Sequence, residues 1–254
     1  MIDIIINGCF GKMGKTLAEK ASADSDIRIA AGIDLTKCEE YRFPVYRSFD
    51  ELPKTDTQNA VIIDFSHPSV INNLLKYAVD NKIPAVICTT GISDEDKEHI
   101  KEASKTVPIF YSGNMSIGVN LLISLVKIAQ RALNDDFDVE IIEKHHNQKI
   151  DAPSGTAYMI ADAIKSQMQE AEYVFDRHLQ RKKREKNEIG IHSVRGGNIV
   201  GEHEVIFAGD DEVITVKHQA QSKAVFAKGA LSAAKFLIGK EPGMYDMSDL
   251  IPQK

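Results

Sequence analysis

The stretch Ile2-Asp3-Ile4-Ile5-Ile6-Asn7-Gly8-Cys9-Phe10-Gly11-Lys12-Met13-Gly14 decides the fold. An apolar run over 2–7 gives way to three glycines spaced GxxGxxG, and an amphipathic stretch over 12–23 follows. That order predicts a strand, a tight turn and a helix. Glycines in such a turn let backbone N–H groups approach a pyrophosphate, and the positive end of the following helix points at the same anion. By spacing alone the loop could be a plain glycine-rich turn. Its position between a strand and a helix favours a phosphate loop, with Gly8, Cys9, Phe10, Gly11, Lys12 and Met13 against a dinucleotide.

The next strand, 27–34, ends at Asp34, about 20 residues beyond the last glycine, where a carboxylate would hold the adenosine ribose hydroxyls. An ordinary solvated loop aspartate is the alternative. Lys37 stands close enough in sequence to meet a 2′-phosphate, so NADH and NADPH both stay open as cofactors. Further apolar runs at 60–65, 85–88 and 109–111 alternate with helical stretches at 69–81 and 94–105, the pattern of a parallel sheet covered on both faces. Ligands of such sheets lie beyond the carboxyl ends of the strands. Two of those ends carry small polar residues: Cys88, Thr89 and Thr90 on one, and Ser112, Gly113, Asn114 and Met115 on the other. They suit a nicotinamide ring and a substrate, although helix capping by Thr90 or Ser93 is a plainer use for the first.

After Gly113 the texture changes. A helix is expected over 119–133. Phe137, Val139 and Ile141 then alternate with Asp138 and Glu140, the mark of a half-exposed strand. A helix over 154–168, a charged stretch to 187 and strands at 189–195, 199–208 and 212–218 follow. Gly196-Gly197-Asn198 suits a hairpin turn, and the helix over 223–237 is expected to return to the first domain. The fold class is therefore α/β: a Rossmann-like parallel-sheet dinucleotide domain, 1–116 with 222–254, and an α+β domain, 117–221, with an open, mostly antiparallel sheet.

Bulk properties narrow the function. The 254 residues are 43% hydrophobic and 27% charged, as in soluble globular proteins. A net charge of −6 argues against nucleic acid as partner, because neutralising phosphates needs a basic face. No apolar run approaches the roughly 18–20 residues of a membrane span, and Met1-Ile2-Asp3-Ile4 does not read as a signal peptide. Cys9, Cys38 and Cys88 show no metal or redox spacing and fit reduced thiols in a cytoplasm.

The densest chemistry runs from Glu143 to Ala157: Glu-Lys-His-His-Asn-Gln-Lys-Ile-Asp-Ala-Pro-Ser-Gly-Thr-Ala. Strand alternation puts His145 on the face of Val139 and Ile141, with His146 on the other. Pro153 has a preset φ and no N–H at the start of the next helix. Ser154, Gly155 and Thr156 are expected to offer unpaired backbone N–H groups to an anion. A helix start with Lys149 can hold a carboxylate, and an imidazole or ammonium beside it can deliver a proton near neutral pH. A structural histidine is the bland reading of either residue alone, and a metal site lacks a third ligand at suitable spacing. The basic run Arg177, Arg181, Lys182, Lys183, Arg184 and Lys186 reads as a solvated loop, or as a steering surface for a dicarboxylate.

The stretch Glu143–Ala157 resembles the signature of the 4-hydroxy-tetrahydrodipicolinate (dihydrodipicolinate) reductase family. So do the glycine loop, Thr89-Thr90-Gly91, the run 113–120, and Val194-Arg195-Gly196 through Gly201-Glu202-His203, in order along nearly the whole chain. The resemblance implies NADH- or NADPH-dependent reduction of a small dicarboxylate, with His145 and Lys149 handling protons and His146, Gly155, Thr156 and Thr90 on the substrate. It also implies that the second domain builds a homotetramer. This chain departs from the family at Cys88, where many relatives have glycine, and at Asp34-Leu35, where they have an acidic–basic pair. Another two-domain dehydrogenase, of aspartate or homoserine, would share the first domain but not the histidine cluster. A non-catalytic nucleotide sensor would not need His145 and Lys149.

Overall fold

The computed structural model describes residues 1–36, 41–53, 59–175, 177–178 and 180–251. Lys37 and Cys38 lie outside the described residues. The chain divides into two compact units, Met1–Ile117 with Lys223–Lys254, and Gly118–Ser222.

The elements up to the unit boundary are β1 (Ile2–Asn7), α1 (Lys12–Ser22), β2 (Ile27–Ile33), β3 (Val45–Tyr46), β4 (Ala60–Asp64), α2 (Ile71–Asn81), β5 (Ala85–Ile87), α3 (Asp94–Ser104) and β6 (Pro108–Tyr111). Then come α4 (Ile117–Leu133), β7 (Asp138–His145), α5 (Gly155–Lys165), β8 (Glu172–Val174), β9 (Glu188–Arg195), β10 (Gly201–Ala208) and β11 (Val213–Ala220). The chain closes with α6 (Ala224–Leu237) and β12 (Gly243–Tyr245).

The first unit is a seven-stranded sheet in the order β12-β6-β5-β4-β1-β2-β3, and every pairing is parallel. Alternation along β1 sends Ile4 and Ile6 to one face and Ile5 to the other. Val61 and Ile63 of β4 likewise face one core while Ile62 faces the second. The first core is closed by Leu17, Ala18 and Ala21 of α1 and by the small-residue face of α6 (Ala227, Ala230, Ala233, Ala234). The second is closed by Leu74, Leu75 and Ala78 of α2 and Ile100 and Ala103 of α3. Each fully buried isoleucine stabilises the unit by about 1.5–3 kcal/mol relative to exposure, which is why a central strand here tolerates no polar interruption.

In the second unit the sheet order is β11-β10-β7-β9-β8. One face packs Val139 and Ile141 of β7, Ile189 and Ile191 of β9, and Val205 and Phe207 of β10 against α4 and α5. The sheet is evenly mixed where a mostly antiparallel one was expected: β10 pairs antiparallel with β7 and β11, whereas β9 pairs parallel with β7 and β8. The expected hairpin at Gly196-Gly197-Asn198 does not form. Its two arms, β9 and β10, lie on opposite sides of β7, which takes the ladder hydrogen bonds they would have exchanged. The turn instead crosses the end of β7, where Gly196 N–H donates to His145 O (2.9 Å) and Asn147 N–H to Gly197 O (3.2 Å). The tight reversal falls one loop later, where Gly209 N–H donates to Glu212 O between β10 and β11.

The basic run is only partly solvated. Arg184 pairs with Asp138 (2.9 Å) and Glu140 (3.1 Å) on the charged face of the sheet, and Arg177 pairs with buried Glu188. Those two guanidiniums are committed to the unit itself, so the steering surface read from the sequence shrinks to Arg181, Lys183 and neighbours on its exposed side. Among the described residues no helix is long and apolar enough to cross a membrane.

Candidate active site

The glycine loop of the first unit forms because its glycines are sterically required. Gly8 has φ +78°, and a Cβ there would come within 2.8 Å of Phe65 O. A Cβ on Gly14 would lie 2.1 Å from Gly8 O, so only glycine lets α1 start this close to the loop. Asp34, at the end of β2, is anchored rather than loosely solvated. Its carboxylate accepts Phe10 N–H (2.9 Å) and Thr36 N–H (3.2 Å), so it braces the loop from beneath. A cleft of about 770 Å³ opens here, lined among others by Gly8, Gly11, Asp34, Arg47, Ser66 and Tyr77. Its size and position at the carboxyl ends of β1, β2 and β4 suit the adenosine half of a dinucleotide.

Cys9 does not present its thiol to that cleft. The side chain is buried in the core, and burial, followed by the charge of Asp34, pushes its pKa up to about 12. Any contribution from Cys9 to a ligand comes through its backbone. Lys12 is exposed and Met13 half-buried at the start of α1.

A second feature pins the neighbouring strand ends. Asp64, 1% exposed at the end of β4, accepts hydrogen bonds from Asn7 Nδ2 (2.8 Å), Ser66 Oγ (2.5 Å) and Thr89 Oγ1 (2.7 Å). Burial pushes its pKa up against those bonds. Thr89 is thereby turned inward, and Cys88 is buried with it, while Thr90 is exposed. Capping of α3 falls to Ser93, whose hydroxyl accepts Asp96 N–H, and leaves Thr90 without that duty. At the end of β6, Ser112 Oγ donates to Asn114 O (2.9 Å), and Asn114 Oδ1 accepts Ser116 N–H (2.9 Å). Met115 is buried and Gly113 exposed on this turn.

The second unit gathers the acid–base cluster. Glu143 and His145 share one face of β7, two residues apart, and His145 Nδ1 lies 2.6 Å from Glu143 Oε2. Glu143 is fully buried. Arg195, from the neighbouring strand β9, grips it with Nη1 on Oε2 (2.8 Å) and Nη2 on Oε1 (2.7 Å). Burial raises the Glu143 pKa, but hydrogen bonds from His145, Arg195 and Ser193 outweigh it and hold the carboxyl well below the usual range. Arg195 Nη2 also donates to Asp151 O (2.6 Å), which fastens the loop leading to α5. Lys149 Nζ stands 2.8 Å from Asp151 Oδ1.

Helix α5 starts one residue later than expected, with Ser154 as cap and Pro153 before it. The Ser154 N–H is not an open donor: Glu143 Oε1 takes it at 3.2 Å, because a buried carboxylate needs every available partner. Gly155 is exposed at the helix start, and a Cβ there would meet no protein atom within 4 Å. Thr156 follows it, half-buried, and His146 is half-buried just beyond the end of β7. His145, Lys149 and the start of α5 thus belong to one network joined through Glu143, Arg195 and Asp151. The sequence motifs contain Glu143 and Arg195 but give neither a role, although these two hold the network together. Alternation could have paired Glu143 with His145; nothing local could have brought Arg195, 52 residues away.

Fold and site define a two-unit α/β protein with a dinucleotide loop on one unit and an acid–base cluster beside a helix start on the other. Residues 2–115 match the model of dihydrodipicolinate reductase, N-terminus, and residues 118–251 that of dihydrodipicolinate reductase, C-terminus. The chain belongs to the dihydrodipicolinate reductase family, a dinucleotide-binding family of oxidoreductases. It is 54% identical over 252 residues to 4-hydroxy-tetrahydrodipicolinate reductase of Caldanaerobacter subterraneus subsp. tengcongensis, covering 99% of this chain and 98% of that one. It is 48% identical over 255 residues to the enzyme of that name from Clostridium novyi, covering 100% of both. Among solved structures, the dipicolinate-bound dihydrodipicolinate reductase from Paenisporosarcina sp. TG-14 matches with a TM-score of 0.81 and 24% identity, over 99% of this chain and 100% of that one.

Proposed function

We propose that this chain reduces 4-hydroxy-tetrahydrodipicolinate to tetrahydrodipicolinate, in diaminopimelate and lysine biosynthesis, with hydride from NADH or NADPH. What carries the reading is identity of about one half, across the full length, to enzymes named for that reaction. The geometry supports it in two places. Residues 1–116 with 222–254 supply the glycine loop, Asp34 and the 88–90 and 112–115 turns for the dinucleotide. Residues 117–221 supply His145, Lys149 and the opening of α5 for a dicarboxylate.

In this reading a bound dinucleotide would supply hydride to the ring, the 4-hydroxyl would leave as water, and the chain's own residues bind, orient and move protons. Gly155 and Thr156, with His146 and Thr90, receive the carboxylates. The dipicolinate in the Paenisporosarcina protein is itself a dicarboxylate of this kind. His145 and Lys149 exchange protons with the substrate. The protein acts in the cytoplasm as a homotetramer built on the open sheet of residues 117–221.

A coupled assay tests the proposal. The synthase that makes the unstable substrate is supplied, and oxidation of NADH and of NADPH is followed separately. Synthase-dependent oxidation of either is the expected result and assigns the preferred cofactor. Oxidation of neither overturns the reading.

A further inference from the structure

The buried carboxylate of Glu143 is asked to do more than balance a charge. A fully buried carboxylate is costly unless paired and hydrogen-bonded. The two-pronged grip of Arg195 already meets that need, with both carboxylate oxygens engaged at 2.7 and 2.8 Å. Further donors nevertheless converge on the same group, the Ser193 side chain among them, and two of them belong to the site: His145 at Oε2 and the Ser154 N–H at Oε1. One is the ring at the centre of the acid–base cluster, and the other is the cap of the helix whose start faces open space.

Chemistry fixes the direction of the first bond. A carboxylate held ionised by a guanidinium only accepts. The His145 nitrogen facing it is therefore the one that carries hydrogen, Nδ1–H. The neutral ring then keeps its lone pair on Nε2, and the imidazolium has its transferable proton there. Solution imidazole prefers the other tautomer, so the fold is imposing a choice. Nε2 itself lies against the neighbouring strand β10 at a position without a side chain, where a Cβ on Gly201 would crowd it at 3.2 Å. The same ion pair holds both ends of the segment leading into α5, Asp151 through Arg195 and Ser154 through Glu143.

We propose that Glu143, locked by Arg195, is a positioning residue that fixes His145 as the Nδ1–H tautomer and holds Nε2 in register with the start of α5. This rests on the proposed function insofar as His145 exchanges protons with substrate; the tautomer itself does not depend on it. A merely structural ion pair would stabilise the unit and leave the ring free to choose.

The experiment is long-range proton–nitrogen correlation spectroscopy of the full chain with labelled histidine. His145 signals are assigned by their loss in His145→Asn, and Glu143→Gln and Glu143→Asp are compared with the unsubstituted chain. The expected result is a protonated Nδ1 on neutral His145 in the unsubstituted chain, a shift toward Nε2–H in Glu143→Gln, and partial return in Glu143→Asp. In the coupled assay, kcat of Glu143→Gln should fall about 100-fold with cofactor KM unchanged. An Nε2–H tautomer in the unsubstituted chain overturns the proposal, and that measurement needs only the assignment variant His145→Asn, not a folded Glu143 variant. Retention of Nδ1–H and full kcat in Glu143→Gln also overturns it. Absence of turnover in the unsubstituted chain would sink the functional reading alone, since the spectrum is recorded without substrate.

Discussion

His203 Nε2 stands 3.1 Å from the Ser154 hydroxyl, and that same oxygen accepts Ala157 N–H at 3.1 Å. One serine therefore caps α5 and partners a buried imidazole from β10. Replacing Ser154 by alanine removes a cap worth about 1 kcal/mol and leaves His203 Nε2 buried without its partner, a further cost of about 1–3 kcal/mol. Urea unfolding should show Ser154→Ala destabilised by about 2–4 kcal/mol, with Ser154→Thr close to the unsubstituted chain. Equal midpoints for all three would refute the dual role.

His203 also sets a pH dependence. Burial, and then the charge of His145, lower its pKa from 6.5 to about 4. A depressed pKa in the fold means that protonation favours unfolding, so the contribution is complete above about pH 6.5 and is lost as pH falls through about 4. The full shift corresponds to about 3 kcal/mol. His218, whose pKa burial also lowers, acts in the same direction. Glu143, held well below the usual carboxylate range, adds acid lability only once pH drops under the ordinary value of 4.5. His203→Asn should therefore flatten, without abolishing, the fall in urea midpoint between pH 6.5 and 4. An unchanged slope would contradict the assignment.

The features legible in the sequence were those whose cause is local. Residues 60–63 are uninterrupted apolar chain because β4 is covered on both faces, and Gly8 and Gly14 announce a backbone that no side chain permits. The helix start at Ser154 was readable to within a residue because its cap lies next to it. What escaped depends on distant partners. Gly196-Gly197-Asn198 encodes a reversal, but turn chemistry cannot reveal that β7 slides between the two arms. Short edge strands such as Val45–Tyr46 and Gly243–Tyr245 contain too few residues to show a period. The Ser154 N–H looked available until Glu143, eleven residues earlier, was placed beneath it.

Asp34 offers a test confined to the first unit. Its carboxylate accepts Phe10 N–H, so its loss unbraces the glycine loop as well as removing the acceptor proposed for the ribose. Hydrogen bonds to a charged group contribute about 1.5–3 kcal/mol. Asp34→Ala should weaken cofactor binding by about 10- to 100-fold, measured by fluorescence titration with NADH and NADPH in turn. Dipicolinate binding, proposed to draw on residues 117–221, should change little. An unaltered dinucleotide Kd would remove Asp34 from the cofactor site.

Lys149 separates chemistry from binding. Its ammonium lies 2.8 Å from Asp151, whose side chain is 58% exposed, so this pair contributes little to stability and can open at little cost. A lysine paired so loosely is suited to moving between a resting partner and a ligand. Truncation to alanine removes the charge and the proton without touching the glycine loop. Lys149→Ala should lower kcat by about 10²- to 10⁴-fold while dinucleotide affinity stays nearly intact. Asp151→Asn removes the resting partner only, and its kcat should remain within about fivefold of the unsubstituted chain. If Lys149→Ala retained full turnover, the lysine would have no part in proton transfer. If Asp151→Asn were as damaged as Lys149→Ala, the ion pair itself, rather than the free ammonium, would be the working form.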